Sequence, residues 1–537
     1  VNSIPPPNPQ QVHRYRVLGW VFAYVLLFAY LQSFSRYGFN IWDEGGFANG
    51  SLRTLRGETA LKDFNPIGYL PGRYWFGALF FKLFGIEIQS LRIGVGLLTP
   101  AMVLMAYAIS RRIMPAGFAA LAAVLTLAAP AMYYNRFFPI FCVANLFFLV
   151  RALEHPARGR IVAFAVSIGV SFFFKSEVAV FSAVIGLPLL RLASTRTHPQ
   201  TLPLSTSLSL SPLRATAIVA LAVALFGGVL WAILQLDVAG KLLRIVVDTH
   251  RVWGNPFPPL FPFFEQLNAW GPHEMFERLM FYIPLLVYGI TALLLARRFW
   301  RHEAKPTTPD VILQALLLFG VAAYGLVIWR AGFDNLLRTL QPFYILACYL
   351  LARLHARLLP RVSGVGKRYA VNVALLLLPA LFLIEMSTHQ GFYAGSIGAV
   401  LQENEPLRLE RLNVYTKATD AGWMKRVLRR IEEYTQPGEP IFAVPLNPIF
   451  YFLSDRPNST AYDWILPGML NAQQEAQVVE QLRAKPPKMV IYVDIAIDGV
   501  EERRFHLYAP AVYEYLEEHY EFVEMIGVFQ LLVPRKD

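Results

Sequence analysis

Apolar runs long enough to enter or cross a bilayer recur from Val17 to Met386, separated by short basic stretches and by two longer polar ones. The first run, Val17 to Phe34, can span and has no small-residue cleavage site, so it is read as a retained first helix. Pro71 to Phe84 is apolar but short and carries Arg73 and Lys82, which predicts an amphipathic helix at the membrane interface. Further spans are predicted at Ser90–Ser110, Ala116–Tyr134, Phe137–Arg151, Arg160–Phe174, Ala179–Leu190, Arg214–Leu236, Leu279–Ala296, Val311–Trp329, Leu336–Leu351 and Val371–Met386. The pattern gives about eleven spans, each needing roughly twenty apolar residues or somewhat fewer.

From Ser387 onward the pattern changes. Helical periodicity in Asp420–Tyr434 is followed by the strand IFAVPL, a short helix near Pro448–Leu453 and a helix in Ala472–Arg483. The strand KMVIYVD, a helix at Ala511–His519 and a closing pair of strands in Tyr520–Val533 complete the series. That alternation predicts a small α/β domain. The chain is thus divided into a polytopic α-helical membrane domain, 1–386, and an extracytoplasmic α/β domain, 387–537.

Composition agrees with this reading. Of 537 residues 55% are hydrophobic and only 16% charged, which excludes an ordinary soluble globular protein. The formal charge of +12 does not imply nucleic acid, because the Lys and Arg fall largely in short loops between apolar runs, as the positive-inside rule requires. Those loops place the N-terminus, with His13, Arg14 and Arg16, on the cytoplasmic side, together with Arg111 and Arg112, EHPARGR, ARRFWRHEAK and RLHARLLPRVSGVGKR. The expected setting is a bacterial plasma membrane. The two cysteines, Cys142 and Cys348, lie in apolar runs and offer neither a disulfide framework nor a metal site. There is no internal repeat, and no Walker A or G-x-G-x-x-G loop to hold a nucleotide.

The opposite side collects the first outer loop, residues 36–72, with Tyr133–Arg136, Lys175–Glu177, Arg330–Arg338, a long segment 237–277 and the C-terminal domain. Ionisable residues at membrane depth cost about 2.5 to 3.5 kcal/mol on insertion scales, so they tend to face a cavity or a partner. The loop Trp42–Gly72 carries Asp43, Glu44, Glu58 and Asp63, and is longer than most connections. Asp43 and Glu44 are sequence neighbours and project in different directions whether the backbone is helix or strand. One suits a base and the other a structural or metal partner; alternatively, both cap a helix beginning near Gly45. Each cation has a second reading too: Arg136 as a snorkelling arginine beside an aromatic belt, Lys175 as an exposed loop residue, Arg330 and Arg338 as headgroup contacts. Asp248, His250, His273 and Glu274 are too scattered to specify a metal site.

The ordered set WDEGG, RTLRGE, KDFNP, LPGRYWFGALFFKLFG and SLR resembles the first outer loop of the GT-C superfamily of lipid-dependent glycosyltransferases, in the protein O-mannosyltransferase and aminoarabinose transferase-like branch. Where some relatives have a Lys-Pro-Pro element, this chain has Leu70, Pro71, Gly72 and Arg73. The resemblance implies a GT-C-like membrane domain and an inverting transfer from a polyprenyl-phosphate sugar donor to a hydroxyl of a protein, glycan or lipid acceptor at the outer face. Asp43 is then the candidate general base, with Glu44 beside it as the second catalytic candidate. Arg136, Lys175, Arg330 and Arg338, with Arg73 in reserve, are the candidate phosphate-binding set, and Asp63, Glu177 and Tyr134 are candidate supports. The superfamily admits a divalent metal on Asp43 or Glu44 with the lipid phosphate, but no spacing here demands one and no cofactor is required. The rival readings are a polytopic transporter or lipid flippase with an outer partner-binding domain, and a non-catalytic assembly factor.

Overall fold

The computed structural model describes residues 9–66, 69–129, 133–194, 271–300, 307–328, 331–388 and 397–536, together with positions 217, 221, 224 and 228. The span expected at 214–236, most of the segment 237–277, and Arg330, Asp248 and His250 lie outside the described residues.

The chain begins with α1 (Pro9–Ser33), α2 (Asp43–Leu55), α3 (Gly72–Phe84), α4 (Ile88–Ser110), α5 (Ala116–Ala128), α6 (Phe137–Glu154), α7 (Arg158–Phe174) and α8 (Ser176–Ser194). Long helices follow at Ile283–Trp300, Thr308–Ile328, Gln341–Leu358 and Val365–Thr388. Among the described residues, seven helical segments are long and apolar enough to cross a membrane, and Ala116–Ala128 is a shorter apolar helix. Lipid-facing character shows in α1, where Leu18, Phe22 and Leu26 are 59, 69 and 59% exposed. The helices around α6 share one apolar core that includes Met102, Leu146, Phe164, Phe319 and Ile345. Inside it, Asn145 of α6 accepts a hydrogen bond from Ser167 at 2.6 Å and donates to Ser171 at 3.1 Å and Ser182 at 3.0 Å. Three helices are stapled by one amide whose bonding capacity would otherwise be costly to bury.

The first outer stretch departs from expectation. Read as a loop, Trp42–Gly72 is helical from Asp43 to Leu55. Two glycines within four residues argue against a helix from propensity alone, but tertiary contacts override that cost. Asn40 starts the helix: its Oδ1 accepts from the Asp43 backbone N–H at 2.7 Å, and Glu44 Oε2 accepts from the Asn40 N–H at 3.1 Å. The segment Pro71–Phe84 forms α3 as a helix, packed against α2 and α4 with Arg73, Tyr74 and Phe81 buried.

The C-terminal region opens with a hairpin, β1 (Glu405–Leu409) and β2 (Leu412–Thr416), absent from the sequence reading. The four strands that were expected form a second sheet: β3 (Ile441–Val444), β4 (Met489–Tyr492), β5 (Tyr520–Ile526) and β6 (Phe529–Pro534), in the order β3-β4-β6-β5. β3 and β4 are parallel, with Ile441 opposite Met489, and β6 runs antiparallel to both of its neighbours. Helices 418–434, 449–454, 472–484 and 510–519 accompany the sheet.

This domain shares a core with the first outer stretch. Phe47, Leu52 and Phe64 belong to the same apolar cluster as Ile449, Phe450 and Phe529. Tyr37 stacks on Tyr415 at 5.1 Å, Phe81 on Phe452 at 5.7 Å, and backbone bonds run from Gly38 N to Tyr415 O and from Asn65 N to Ala461 O.

Candidate functional site around Asp43

The two neighbouring carboxylates at the start of α2 diverge as helix geometry requires. Glu44 is 4% exposed and turns toward α4, where Arg92 meets it with two bonds, Nε to Oε1 at 2.8 Å and Nη2 to Oε2 at 2.6 Å. The same guanidinium donates to the Ser35 and Gly38 carbonyls, each at 2.6 Å. A planar fork filled in this way is the geometry for which arginine is suited. Both Glu44 oxygens accept from Arg92, and Oε2 also from the Asn40 N–H, an arrangement that suits the structural partner expected of one member of this carboxylate pair. Arg136, fully buried, stands with this pair: its guanidinium carbon lies 4.0 Å from the Tyr133 ring, whose ring centroid is 4.9 Å from that of Arg92.

Asp43 sits in the first turn of α2, where a carboxylate is favoured by the helix dipole. It accepts from Asn40 Nδ2 at 3.3 Å and is within hydrogen-bonding reach of the Tyr134 hydroxyl. It also shares a neighbour with the cations. Tyr69 lies with the Lys175 ammonium 4.6 Å and the Arg73 guanidinium 3.9 Å from its ring centroid. Burial alone would push the Tyr69 hydroxyl up; Lys175, Arg73 and Arg338 outweigh it and hold the group below its ordinary value, against the opposing charge of Asp43. Burial likewise pulls the Lys175 ammonium below its usual range, against Tyr69 and Glu177, whose carboxylate is 3.8 Å away.

Local structure explains these placements. Lys175 is the break between α7 and α8, at the negative end of the α7 dipole. Gly72 allows α3 to start against that break, since a Cβ there would lie 2.5 Å from the Phe173 carbonyl oxygen. Arg73 is 2% exposed and rests on Phe47 as well as Tyr69. Arg338 closes the helical turn Phe333–Leu337 and lies 5.6 Å from the Phe138 ring.

Lys175 and Arg73 thus meet at the Tyr69 ring, on which Arg338 and Asp43 also act by charge, whereas Arg136 stands on the Tyr133 ring beside Arg92. Asp63 closes its own turn, accepting from the Thr59 N–H at 2.7 Å. Sequence reasoning missed Arg92, visible only as the R of SLR, and Tyr69. It also missed Asp334, whose charge acts on Tyr134. His273 pairs with Glu385 and Glu277, and among the described residues no group of three His, Cys, Asp or Glu is placed to hold a metal ion.

The C-terminal domain braces the same helix. A Cβ on Gly45 would meet Ile449 at 2.7 Å, and one on Gly46 would meet the Trp464 ring at 2.1 Å. Arg53 bonds Asp463 at 2.7 Å as well as Glu58, and Arg56 pairs with Asp455. The GG of WDEGG is a notch into which the last domain fits.

Residues 66–208 match the family model described as dolichyl-phosphate-mannose-protein mannosyltransferase. No curated sequence matches the chain significantly. Among solved structures the chain is similar to ArnT from Cupriavidus metallidurans bound to undecaprenyl phosphate, at 14% identity over 96% of this chain and 97% of that one, with a TM-score of 0.54. It is also similar to the archaeal oligosaccharyltransferase AglB from Archaeoglobus fulgidus in complex with an inhibitory peptide and a dolichol-phosphate (12% identity, 96% and 74% covered, TM-score 0.48). A third likeness is to the arabinofuranosyltransferase AftD from Mycobacteria (13%, 97% and 40%, 0.48). Seven helical segments among the described residues that are long and apolar enough to cross a membrane, together with the fold shared with ArnT, make this chain a multi-pass membrane protein of the ArnT fold.

Proposed function

We propose that the chain transfers a sugar from a polyprenyl-phosphate donor to an acceptor hydroxyl at the non-cytoplasmic membrane surface, with inversion. The observation that carries this reading is the pairing of Lys175 and Arg73 on the Tyr69 ring, a group that also feels the charges of Arg338 and of the carboxylate Asp43. Asp43 takes the proton from the acceptor oxygen as that oxygen attacks the anomeric carbon. The bond from that carbon to the phosphate oxygen breaks, and the lipid phosphate leaves with the electron pair. Lys175, Arg73 and Arg338 stabilise the charge it gains, in a site where preorganised cations act more strongly than in water. Support also comes from the match of residues 66–208 to lipid-linked mannosyltransferases and from the shared fold with ArnT, whose structure holds undecaprenyl phosphate. Acceptors to test are protein, glycan and lipid.

The test is Asp43→Asn in membranes supplied with radiolabelled polyprenyl-phosphate sugars. Transfer should fall by about 10²- to 10⁴-fold, the usual worth of general-base help, with expression and thermal unfolding unchanged. Transfer at the wild-type rate would remove Asp43 as base. A transporter or flippase would translocate labelled lipid without forming a glycosylated product.

A further inference from the structure

At the end of α4 away from Arg92, two adjoining hollows share part of their lining, one between α1, α4 and α5 and the other between α1, α4 and α6. The apolar lobe, about 540 Å³, runs between α1 and α5, with Ala23, Leu27, Ala123 and Leu127 among its walls. The polar lobe, about 440 Å³, shares Trp20, Leu104 and Tyr107 with it and is edged by Arg111, Arg112 and Arg151. Arg16 lines the apolar lobe from α1. Trp20 meets Tyr107 edge-on at 5.8 Å, and the guanidinium carbons of Arg112 and Arg151 each lie 5.9 Å from the Phe147 ring.

The charges are unbalanced. Arg112 is held by Glu154 at 2.5 Å, and Arg111 gives one bond to the Met114 carbonyl at 2.9 Å. Among the described residues none of Arg16, Arg111 and Arg151 pairs with a carboxylate. Along α4 Arg111 lies 19 residues beyond Arg92, about 28 Å at 1.5 Å per residue, close to the hydrocarbon thickness of a bilayer. An apolar slot open to the bilayer and headed by guanidiniums at the membrane surface is complementary to a lipid with acyl chains below a phosphate.

We infer that this groove binds an anionic diacyl phospholipid of the leaflet opposite the Asp43 site, its phosphate held by Arg16, Arg111 and Arg151 and its chains lying between α1 and α5. Arginines near such a surface each strengthen binding roughly fivefold, so removing three should weaken it about a hundredfold.

The test reconstitutes the full chain in nanodiscs with phosphatidylglycerol or phosphatidylcholine as probe and counts retained lipid by native mass spectrometry. Wild type should retain phosphatidylglycerol in preference to phosphatidylcholine, and the variant R16Q/R111Q/R151Q should lose it; Arg112 is left in place so that Glu154 keeps its partner. A second variant, Ala123→Trp, fills the apolar lobe without altering charge and should also release the lipid. Equal retention of the two lipids by wild type, or retention of phosphatidylglycerol by the triple variant, overturns the inference. Displacement of the lipid by inorganic phosphate, with Ala123→Trp still holding it, assigns the cations to free phosphate and overturns it equally.

Discussion

The two ends of the helix bundle both gather arginine and lysine, on opposite energetic terms. At the Asp43 end Arg92, Arg136, Arg73 and Lys175 are 1, 0, 2 and 6% exposed. At the other end Arg111 is exposed, and Arg112 and Arg151 are half-buried. A cation in water or among headgroups costs little, whereas a buried one costs several kcal/mol unless partners offset the lost hydration. Arg92 has such partners in Glu44 and the Ser35 and Gly38 carbonyls. Arg73 and Lys175 lean on aromatic faces, worth about 0.5 to 2 kcal/mol each, which leaves room for an anionic ligand to complete the balance. The same residue types are therefore solvated at one end and held among partners in the interior at the other.

The contrast can be broken most severely at Asp43, where the asparagine variant should cost transfer and leave stability intact. Next in size is Arg92→Ala, which should do the reverse. Removing one partner of a buried pair costs about 3–5 kcal/mol, and melting in detergent should drop clearly; an unchanged melting point would mean the pair holds nothing. Lys175→Ala and Arg338→Ala should each raise the donor KM by about ten- to a hundredfold, the equivalent of roughly 1.5–3 kcal/mol for a bond to a charged group, with acceptor KM unmoved. Equal effects on both substrates would reject a phosphate role.

The smallest effect concerns Glu403, buried beside the Glu44–Arg92 group, where burial raises its carboxyl to about 7 despite Lys417 and Arg92. Because the folded value lies above the ordinary 4.5, this stabilising contribution is complete below about 4.5 and is lost as pH rises through about 7. Glu403→Gln should flatten the pH dependence of melting between those values, and an unaltered slope would exclude the group.

Much of this was legible in the sequence because membrane helices and sheet strands announce themselves locally, by apolar length and by alternation. IFAVPL and KMVIYVD became paired strands, and the runs from Ser90 to Phe174 became α4 to α7 near their expected bounds except α5, which ends at Ala128 where Tyr134 was expected. What escaped is set by contacts across long separations. The partner of Glu44 lies 48 residues on and that of Arg53 lies 410 residues on, and nothing in WDEGG or RTLRGE singles out Arg92 from the other cations or Asp463 from the other carboxylates. Gly45 and Gly46 serve close approach to Ile449 and Trp464, so of the two readings of WDEGG, loop or the start of a helix near Gly45, the helix is the one the structure holds.

The notch at Gly45 and Gly46 has a consequence for how the protein is made. Ile449 and Trp464, which fill it, leave the ribosome long after the helix they brace. Until the terminal segment has folded, the nascent chain carries Asp43 on a glycine-weakened turn with one flank uncovered, so a stop codon ahead of Ile449 would leave that turn unbraced although Asp43, Arg73, Lys175 and Arg338 had all been made.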